Sequence, residues 1–598
     1  MSVESPARIS APTQLVSEWL ARFDDALQAR DVQRVSALFG DACYWRDLIA
    51  FTWNIATFEG RESIGAMLHE TLGRVQPSGW QLEGEATESN GVVQAWLAFE
   101  TAIGRGKAHV RLTDGRCWTF LTALRELKGF EEKRGATREA GAEHGAIRGR
   151  TTWSDARRSE AESMGLTEQP YCLIVGGGQG GLGLGARLKR LGVPALIIDR
   201  NERPGDAWRN RYKSLCLHDP VWYDHLPYLP FPEHWPIYTP KDKMGDWLEA
   251  YCTLMELNYW AKTVCRSASF DEASQTWTVQ VERDGQPVSL RPTHLVLATG
   301  MSGVPNLPSY PGMDRFTGVQ HHSSTHPGGE GFAGKRCVVV GSNNSAHDIA
   351  ADLWEHGAEV TMLQRSPTLV VRAESQARNR TLYSEEALKA GISTDLADLT
   401  VASIPYRLVP QFQIPITAQL RRDDAAFYDR LEAAGFMLNF GEDESGLTPM
   451  YLRRGSGYYI DVGASELIAD GRIALKPGAV IDRLTEDAVV LRDGTALPAD
   501  LVVYATGYGS MTGWAAALIS PEVADTVGPC WGLGSDTLKD PGPWEGELRN
   551  MWKPTRQTHL WFHGGNLAQS RHYSLYLGLQ LKARHEGIST PVYGMPAA

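Results

Sequence analysis

The run YCLIV, ending at position 175 and followed at once by GGGQGG, constrains this chain more than any other stretch. Apolar strand, glycine turn, the helical LGLGARLKRLG and a second strand ALIID make a βαβ unit. Gly176, Gly178 and Gly181 fall in Gly-x-Gly-x-x-Gly register within it. The first glycine permits the tight turn, the second lets backbone approach a pyrophosphate, and the third lets helix and strand close. The helix N-terminus then turns unpaired N–H groups and a positive dipole end toward the phosphates. Asp199 ends the second strand, where an acid meets ribose hydroxyls, and Arg200 follows it. Gln179, inside the turn, joins the expected contacts.

A second copy follows the strand CVVV at 341, reading GSNNSA. Gly341 keeps the turn and Ala346 is small enough for close packing, while Asn343 stands where the middle glycine would be. Asparagine tolerates positive φ better than other residues, and its amide can bond a phosphate oxygen. On this reading the turn works, with Gly341, Ser342, Asn343, Asn344 and Ser345 as its contacts. The next strand, EVTMLQRSP, ends in Arg365 and Ser366 where an NAD-specific domain places an acid. A guanidinium there suits a 2′-phosphate, so NADPH is expected over NADH. THLVLATG and ADLVVYATG carry the same Ala-Thr-Gly ending at Ala298, Thr299, Gly300 and at Ala505, Thr506, Gly507. Such turns mark where a chain crosses between two nucleotide domains.

A chain of 598 residues with 42% apolar content can bury three or four cores. The net charge of −12 and the lack of a basic block argue against nucleic acid as a partner. No run of about 18 apolar residues or secretion signal is visible, so no membrane span is expected and the cytoplasm is the default compartment. Eight scattered cysteines show no Cys-x-x-Cys pair and no metal spacing. They read as reduced packing residues, and no metal site is expected.

Residues 1–130 open with two amphipathic helices in LVSEWLARFDDALQARDVQRVSALF, then alternate as strands in VVQAWLAFETAI, AHVRLTD and CWTFLTALREL. With DACYWRDLIAFTWNIATFEGRESI this α+β layout resembles the NTF2-like or SnoaL-like cone. Trp45, Arg46, Asp47, His109 and Trp118 are its candidate lining. Asp47 has two readings, a pocket base or a salt-bridged wall or dimer face. Residues 131–168 have the charge and Gly/Ser content of a linker.

The stretch from NERPGDAW to LPYLPFP, through Gly205, Trp208, Arg209 and Tyr212, resembles the class B flavin-dependent monooxygenases, in their YUCCA-like, indole-pyruvate-oxidising branch. FTGVQHHSSTH is similar to that family's signature through Phe316, Gly318 and His322, and departs at His326. The implied fold class is α/β, with two Rossmann-like domains after the cone. The first, for FAD, spans 169–300; the second, for NADPH, spans 301–500 with an insertion at 370–460; and 501–598 returns to the FAD domain. The resemblance implies that NADPH reduces FAD, that O2 adds at the flavin C4a, and that one oxygen atom reaches a small organic substrate. N- or S-oxygenation, Baeyer–Villiger reaction and decarboxylating oxidation of a 2-oxo acid stay open.

For catalysis the candidates are His218, as a donor or as a structural histidine, and Asn566. Gly565 and Ser570 are further flavin contacts, and Arg453 and Arg454 lie where a cation is used in lactone formation. His322 is read as a brace of the interdomain linker. The insertion is either a lid or a dimer contact, and a homodimer is open. Rival functions are an NADPH-driven reductase serving a quinone or partner protein, and a non-catalytic nucleotide sensor.

Overall fold

In the N-terminal domain, amphipathic patterning sets the first layer. In α1 (Ala11–Gln28) the buried residues Val16, Trp19, Leu20, Phe23 and Leu27 form one stripe. The computed structural model, which describes residues 10–142, 144–533 and 547–595, lays that stripe with α2 (Val32–Ala37) and α3 (Gly60–Val75) on a six-stranded sheet. Its strands are β1 (Phe39–Leu48), β2 (Ile55–Glu59), β3 (Ser78–Ser89), β4 (Val92–Glu100), β5 (Gly104–Thr113) and β6 (Arg116–Leu127), in the order β2-β1-β6-β5-β4-β3. β3 escapes a reading by alternation because it is a polar edge strand with few buried residues.

The helix-covered face is filled rather than hollow, which corrects the expected cone lining. Trp19, Phe23, Phe39, Trp45, Phe51 and Phe120 pack ring on ring there. Arg46 is buried on the opposite face, where it meets Glu547. His109 stacks edge-on to Trp96, and Trp118 meets Phe412 of the insertion. The reason is the two-residue period of a strand, which sends neighbours such as Trp45 and Arg46 to opposite sides.

Asp47 is a hub of hydrogen bonds, not half of an ion pair. Its carboxylate accepts from the Phe51 and Thr52 amides and from the Thr52 and Thr122 hydroxyls at 2.6–3.2 Å. Burial pushes its pKa up to about 6 against the pull of those donors. Asp47→Ala leaves three buried donors without an acceptor, the Thr52 hydroxyl alone having the Asn54 carbonyl to turn to, and is expected to cost about 2–4 kcal/mol. Thermal unfolding should show the loss, with kcat of the folded fraction within about threefold of wild type; a base would give the reverse.

The sheet's second face packs on the C-terminal helix (Leu567–His585), whose other side lies on the domain that opens with the GGGQGG turn. That helix is therefore buried all round, and Leu48, Ile55, Leu121 and Leu124 share one core with Leu577 and Leu184. The linker is docked too. Its helix α4 (Trp153–Ser163) sends Glu160 to Lys189 and Asn258, and Glu132 accepts from Tyr228.

Two parallel five-stranded sheets follow. The first holds β7 (Cys172–Val175) and β8 (Ala195–Ile198), joined by α5 (Gln179–Arg190), in the order Leu560–Phe562, His294–Leu297, β7, β8, Tyr259–Trp260. The second runs Val319–His322, Leu501–Tyr504, Arg336–Val340, Glu359–Gln364, Ala474–Pro477. Each carries a small antiparallel sheet, at 263–290 and at 481–498. The insertion is mainly helical and lies against the N-terminal sheet, with the Ser403 backbone and side chain accepting from Arg111 at 3.0 and 2.7 Å. Among the described residues no helix is long and apolar enough to cross a membrane.

Candidate functional site

Both glycine turns are built on one plan. Gly176 takes φ +111°, its N–H donates to Ile198 at 2.9 Å, and a Cβ there would lie 2.3 Å from the Ala298 carbonyl oxygen. Gly341 takes φ +129°, donates to Leu363 at 3.0 Å, and its Cβ would lie 2.4 Å from the Ala505 carbonyl oxygen. Each dinucleotide turn thus rests on one of the two Ala-Thr-Gly turns. The Ala298 and Ala505 amides complete the match by donating to Val175 and Val340 at 2.9 Å.

The space a ligand needs lies in front of these turns. A Cβ on Gly178 would meet only Ala207, at 4.0 Å, and one on Gly507 nothing within 4 Å. Gly300 is similarly open, and the buried Thr299 hydroxyl beside it has no partner. Gly181 answers to the protein itself, since a Cβ would come within 1.9 Å of the Gly176 carbonyl oxygen. Asp199 accepts from the Gly177 and Asn201 amides at 2.6 and 2.8 Å, which holds it beneath the turn, and Arg200 is exposed. These cradles, open in front and each backed by a helix N-terminus, fit two dinucleotides.

Several expected contacts serve other purposes. The Arg209 guanidinium is taken up by Asp206, Asp246 and Glu249 at 2.7–2.9 Å, which braces the segment. Gly205 is needed because the Gly245 carbonyl would lie 2.1 Å from its Cβ at φ +88°. Trp208 stays at the turn, donating to Gln179 at 3.2 Å, and Gln179 reaches the Gly565 carbonyl at 3.4 Å. Tyr212 crosses to the second domain and donates to Asp348 at 2.7 Å.

The second turn corrects the reason given for Asn343. Its φ is −99° and ψ −172°, extended backbone open to any residue, and the positive φ belongs to Gly341. Ser342 is bonded to Thr368 at 2.7 Å and Asn344 accepts from the Ile460 amide at 2.9 Å, so both side chains hold the insertion's edge. Ser345 is half-buried in the first helical turn, and Arg365 and Ser366 stand exposed just past Glu359–Gln364. Thr506 donates to the Asn306 carbonyl at 2.6 Å. His322 Nε2 donates to Gly507 at 3.0 Å, its tautomer set by the Ser324 amide donating to Nδ1. That bond ties the segment between the domains to the second Ala-Thr-Gly turn. His326 is buried beside His321 and Asp352.

Around the first turn the fold gathers groups from distant segments. Asn566 caps the C-terminal helix: its Oδ1 accepts from Gln569 at 2.9 Å, and its Nδ2 reaches Tyr223 OH at 3.2 Å. Tyr451 OH donates to Gln569 at 2.6 Å, and the Ser570 hydroxyl closes onto Gly564 at 3.3 Å. Arg380 lies 2.7 Å from Asp219 and 4.3 Å over the Tyr223 ring. His218 sits next to that pair, and burial lowers its pKa. Arg453 is bound to Asp443 at 2.5 Å, and Arg454 is exposed at the end of Leu447–Arg454.

Sequence reasoning missed Tyr223, Tyr451, Arg380 and His563. His563 is fully buried against Gly180, and burial drives its pKa down to about 3. No spacing pattern links these residues; only the proximity of His563 to GGNLAQS hints at one of them. Among the described residues no cluster of three or more His, Cys, Asp or Glu could hold a metal.

The family model for pyridine nucleotide-disulphide oxidoreductases matches residues 173–404. Indole-3-pyruvate monooxygenase YUCCA1 of Oryza sativa subsp. japonica is 33% identical over 352 residues, covering 58% of this chain and 79% of that protein. Probable indole-3-pyruvate monooxygenase YUCCA9 of Arabidopsis thaliana is 31% identical, over 56% of this chain and 75% of that protein. The crystal structure of OTEMO complexed with FAD and NADP superposes at TM-score 0.51 and 18% identity, over 70% of this chain and 86% of that one, a likeness of fold.

Proposed function

This chain belongs to the YUCCA-type flavin-dependent monooxygenases, and on that premise we propose that it uses NADPH and bound FAD to insert one oxygen atom of O2 into a small organic substrate. The observation that carries the reading is the pair of matched turns, Gly176 on Ala298 and Gly341 on Ala505, each with open space in front. No two of the eight cysteines stand at the Cys-x-x-Cys spacing of a redox pair, which disfavours the chemistry of a disulfide reductase of this architecture.

Gly176–Gly181, with the first N–H groups of α5, would hold the FAD pyrophosphate. Gly341–Ser345 and Arg365 would hold NADPH. Bound together, the two supply hydride transfer and oxygen activation. The chain's own residues orient and enclose. Asn566, held by Tyr223 and Gln569, presents an amide at the mouth of the C-terminal helix, whose N-terminal end favours negative charge. The Tyr223 and Tyr451 hydroxyls both meet Asn566, and burial raises the pKa of each, so both are neutral at pH 7.

The names of the relatives favour a 2-oxo acid such as indole-3-pyruvate, against ketones, sulfides and amines. Residues 10–130 are read as an NTF2-like cone from their six-stranded sheet with three helices. The test is turnover under 18O2 with that substrate panel. One labelled oxygen per product, in step with NADPH consumed, is expected for the substrate; NADPH oxidation that reduces a quinone with no labelled product would favour the reductase.

Arg365 gives a prediction of its own. Arg365→Ala removes charge-assisted bonds worth about 1.5–3 kcal/mol to a 2′-phosphate. KM for NADPH should rise about 10- to 100-fold while that for NADH changes by less than about threefold. Equal changes for both cofactors would rule out 2′-phosphate recognition.

A further inference from the structure

Arg46 is wholly buried in the N-terminal domain, yet the hydrogen bonds of its side chain all leave that domain. Nε donates to Glu547 at 2.6 Å, Nη1 to the Ala402 carbonyl at 2.5 Å, and Nη2 to Tyr573 OH at 3.0 Å. The guanidinium lies 4.4 Å over the Tyr406 ring, and Tyr406 OH is 2.7 Å from Tyr573 OH. Glu547 also takes the Thr57 hydroxyl and, at 3.4 Å, the Tyr406 amide. Lys553, fully buried, donates to the Ile55 carbonyl at 3.1 Å. One side chain therefore joins the cone domain, the insertion, the segment from Glu547 and the C-terminal helix.

Tyr573 lies two turns along that helix from its cap, Asn566, and i, i+7 positions share a face. A stiff helix passes any shift at Tyr573 on to Asn566. Apolar contacts such as Leu121 and Leu124 against the helix seal the interface but tolerate sliding, whereas hydrogen bonds fix direction within narrow limits. A buried ion pair is a poor source of net stability, and packed apolar residues of similar volume usually serve as well. Its best-attested use is to set register.

We propose that Arg46 is a positioning residue for the flavin site and that the N-terminal domain is its outer wall, fixing the axial register of the C-terminal helix. The inference rests on reading the N-terminus of that helix as part of the flavin pocket. It gives the cone a task other than chemistry of its own, consistent with its aromatic-filled interior.

The test compares wild type with Arg46→Met, Arg46→Lys, Tyr573→Phe and the double variant Arg46→Met/Glu547→Met, all purified with FAD. Three readouts are taken: the melting midpoint, the rate of FAD release on dilution, followed by flavin fluorescence, and the H2O2 formed from NADPH and air with no substrate added. The double variant is expected to melt within a few degrees of wild type while releasing FAD about tenfold faster and forming severalfold more H2O2. Arg46→Lys should fall between, and Tyr573→Phe, which deletes only one hydroxyl, should release FAD about two- to fivefold faster with a midpoint within a few degrees of wild type. Wild-type FAD release and H2O2 formation in both the double variant and Tyr573→Phe would overturn the inference alone. FAD release that merely follows the melting midpoint across the series would also overturn it, by showing a structural role only. A wild-type chain that never takes up FAD would overturn the flavin reading itself.

Discussion

A Gly176→Ala chain is expected to be recovered without FAD and to unfold at a clearly lower temperature than wild type. The new methyl would have to sit 2.3 Å from the Ala298 carbonyl oxygen, a backbone atom held by the strand pairing of β7 with His294–Leu297. The backbone angle of φ +111° adds about 1–3 kcal/mol of strain for any residue with a side chain. With the overlap included, the total should exceed about 4 kcal/mol, the range of severe single substitutions. Gly178→Ala is the matched control. Its φ is −75° and its Cβ would meet only Ala207 at 4.0 Å, so the apoprotein should melt within about a degree of wild type. On the proposed reading its FAD affinity should nevertheless fall at least tenfold, about 1.4 kcal/mol, because the methyl would enter the space the pyrophosphate takes. Differential scanning calorimetry of apo and FAD-loaded samples separates the two effects. Equal apoprotein midpoints for the two variants would contradict the geometry.

The contrast also shows what the chain makes readable. Strand, turn and helix are local, so Gly176 and Gly181 could be placed from the sequence, and the second turn at Gly341 by analogy. Tolerance of positive φ is not what suits Asn343 to its place, since sequence does not say which residue of a turn carries the positive φ. Ser342, Asn344 and Arg209 look like ligands because they sit in ligand-bearing segments. Each side chain also bonds within the protein, to Thr368, the Ile460 amide or the carboxylates of Asp206, Asp246 and Glu249, partners that lie as far as 116 residues away. The candidate cone lining failed for a related reason: alternation predicts two faces but not which one meets helices. Arg46 and Glu547 are 501 residues apart, and nothing local marks either as one of a pair.

Arg571 is the other position where a single change should reach both stability and the site. Its Nε and Nη2 bind the two oxygens of Asp398 at 2.8 Å, and Nη1 donates to the Tyr223 and His225 carbonyls at 2.6 Å. Both side chains are almost wholly buried. Arg571→Met leaves the Asp398 carboxylate with only Tyr383 OH, at 2.9 Å, and frees two carbonyls, so a loss of about 3–5 kcal/mol is expected. Removing the stranded charge as well, in Arg571→Met/Asp398→Asn, should recover about half of that loss, because the penalty is largely that of an unpaired buried ion. The site should respond differently. Tyr223 carries the hydroxyl that meets Asn566, and its backbone is held by Arg571 in wild type alone. FAD release should thus stay at least fivefold faster than wild type in the double variant even as its melting midpoint climbs back. If release recovered in step with stability, Arg571 would be an internal support of the C-terminal helix and nothing more. If it stayed fast, the same guanidinium would be shown to hold Tyr223 against Asn566, joining the core of the fold to the edge of the flavin pocket.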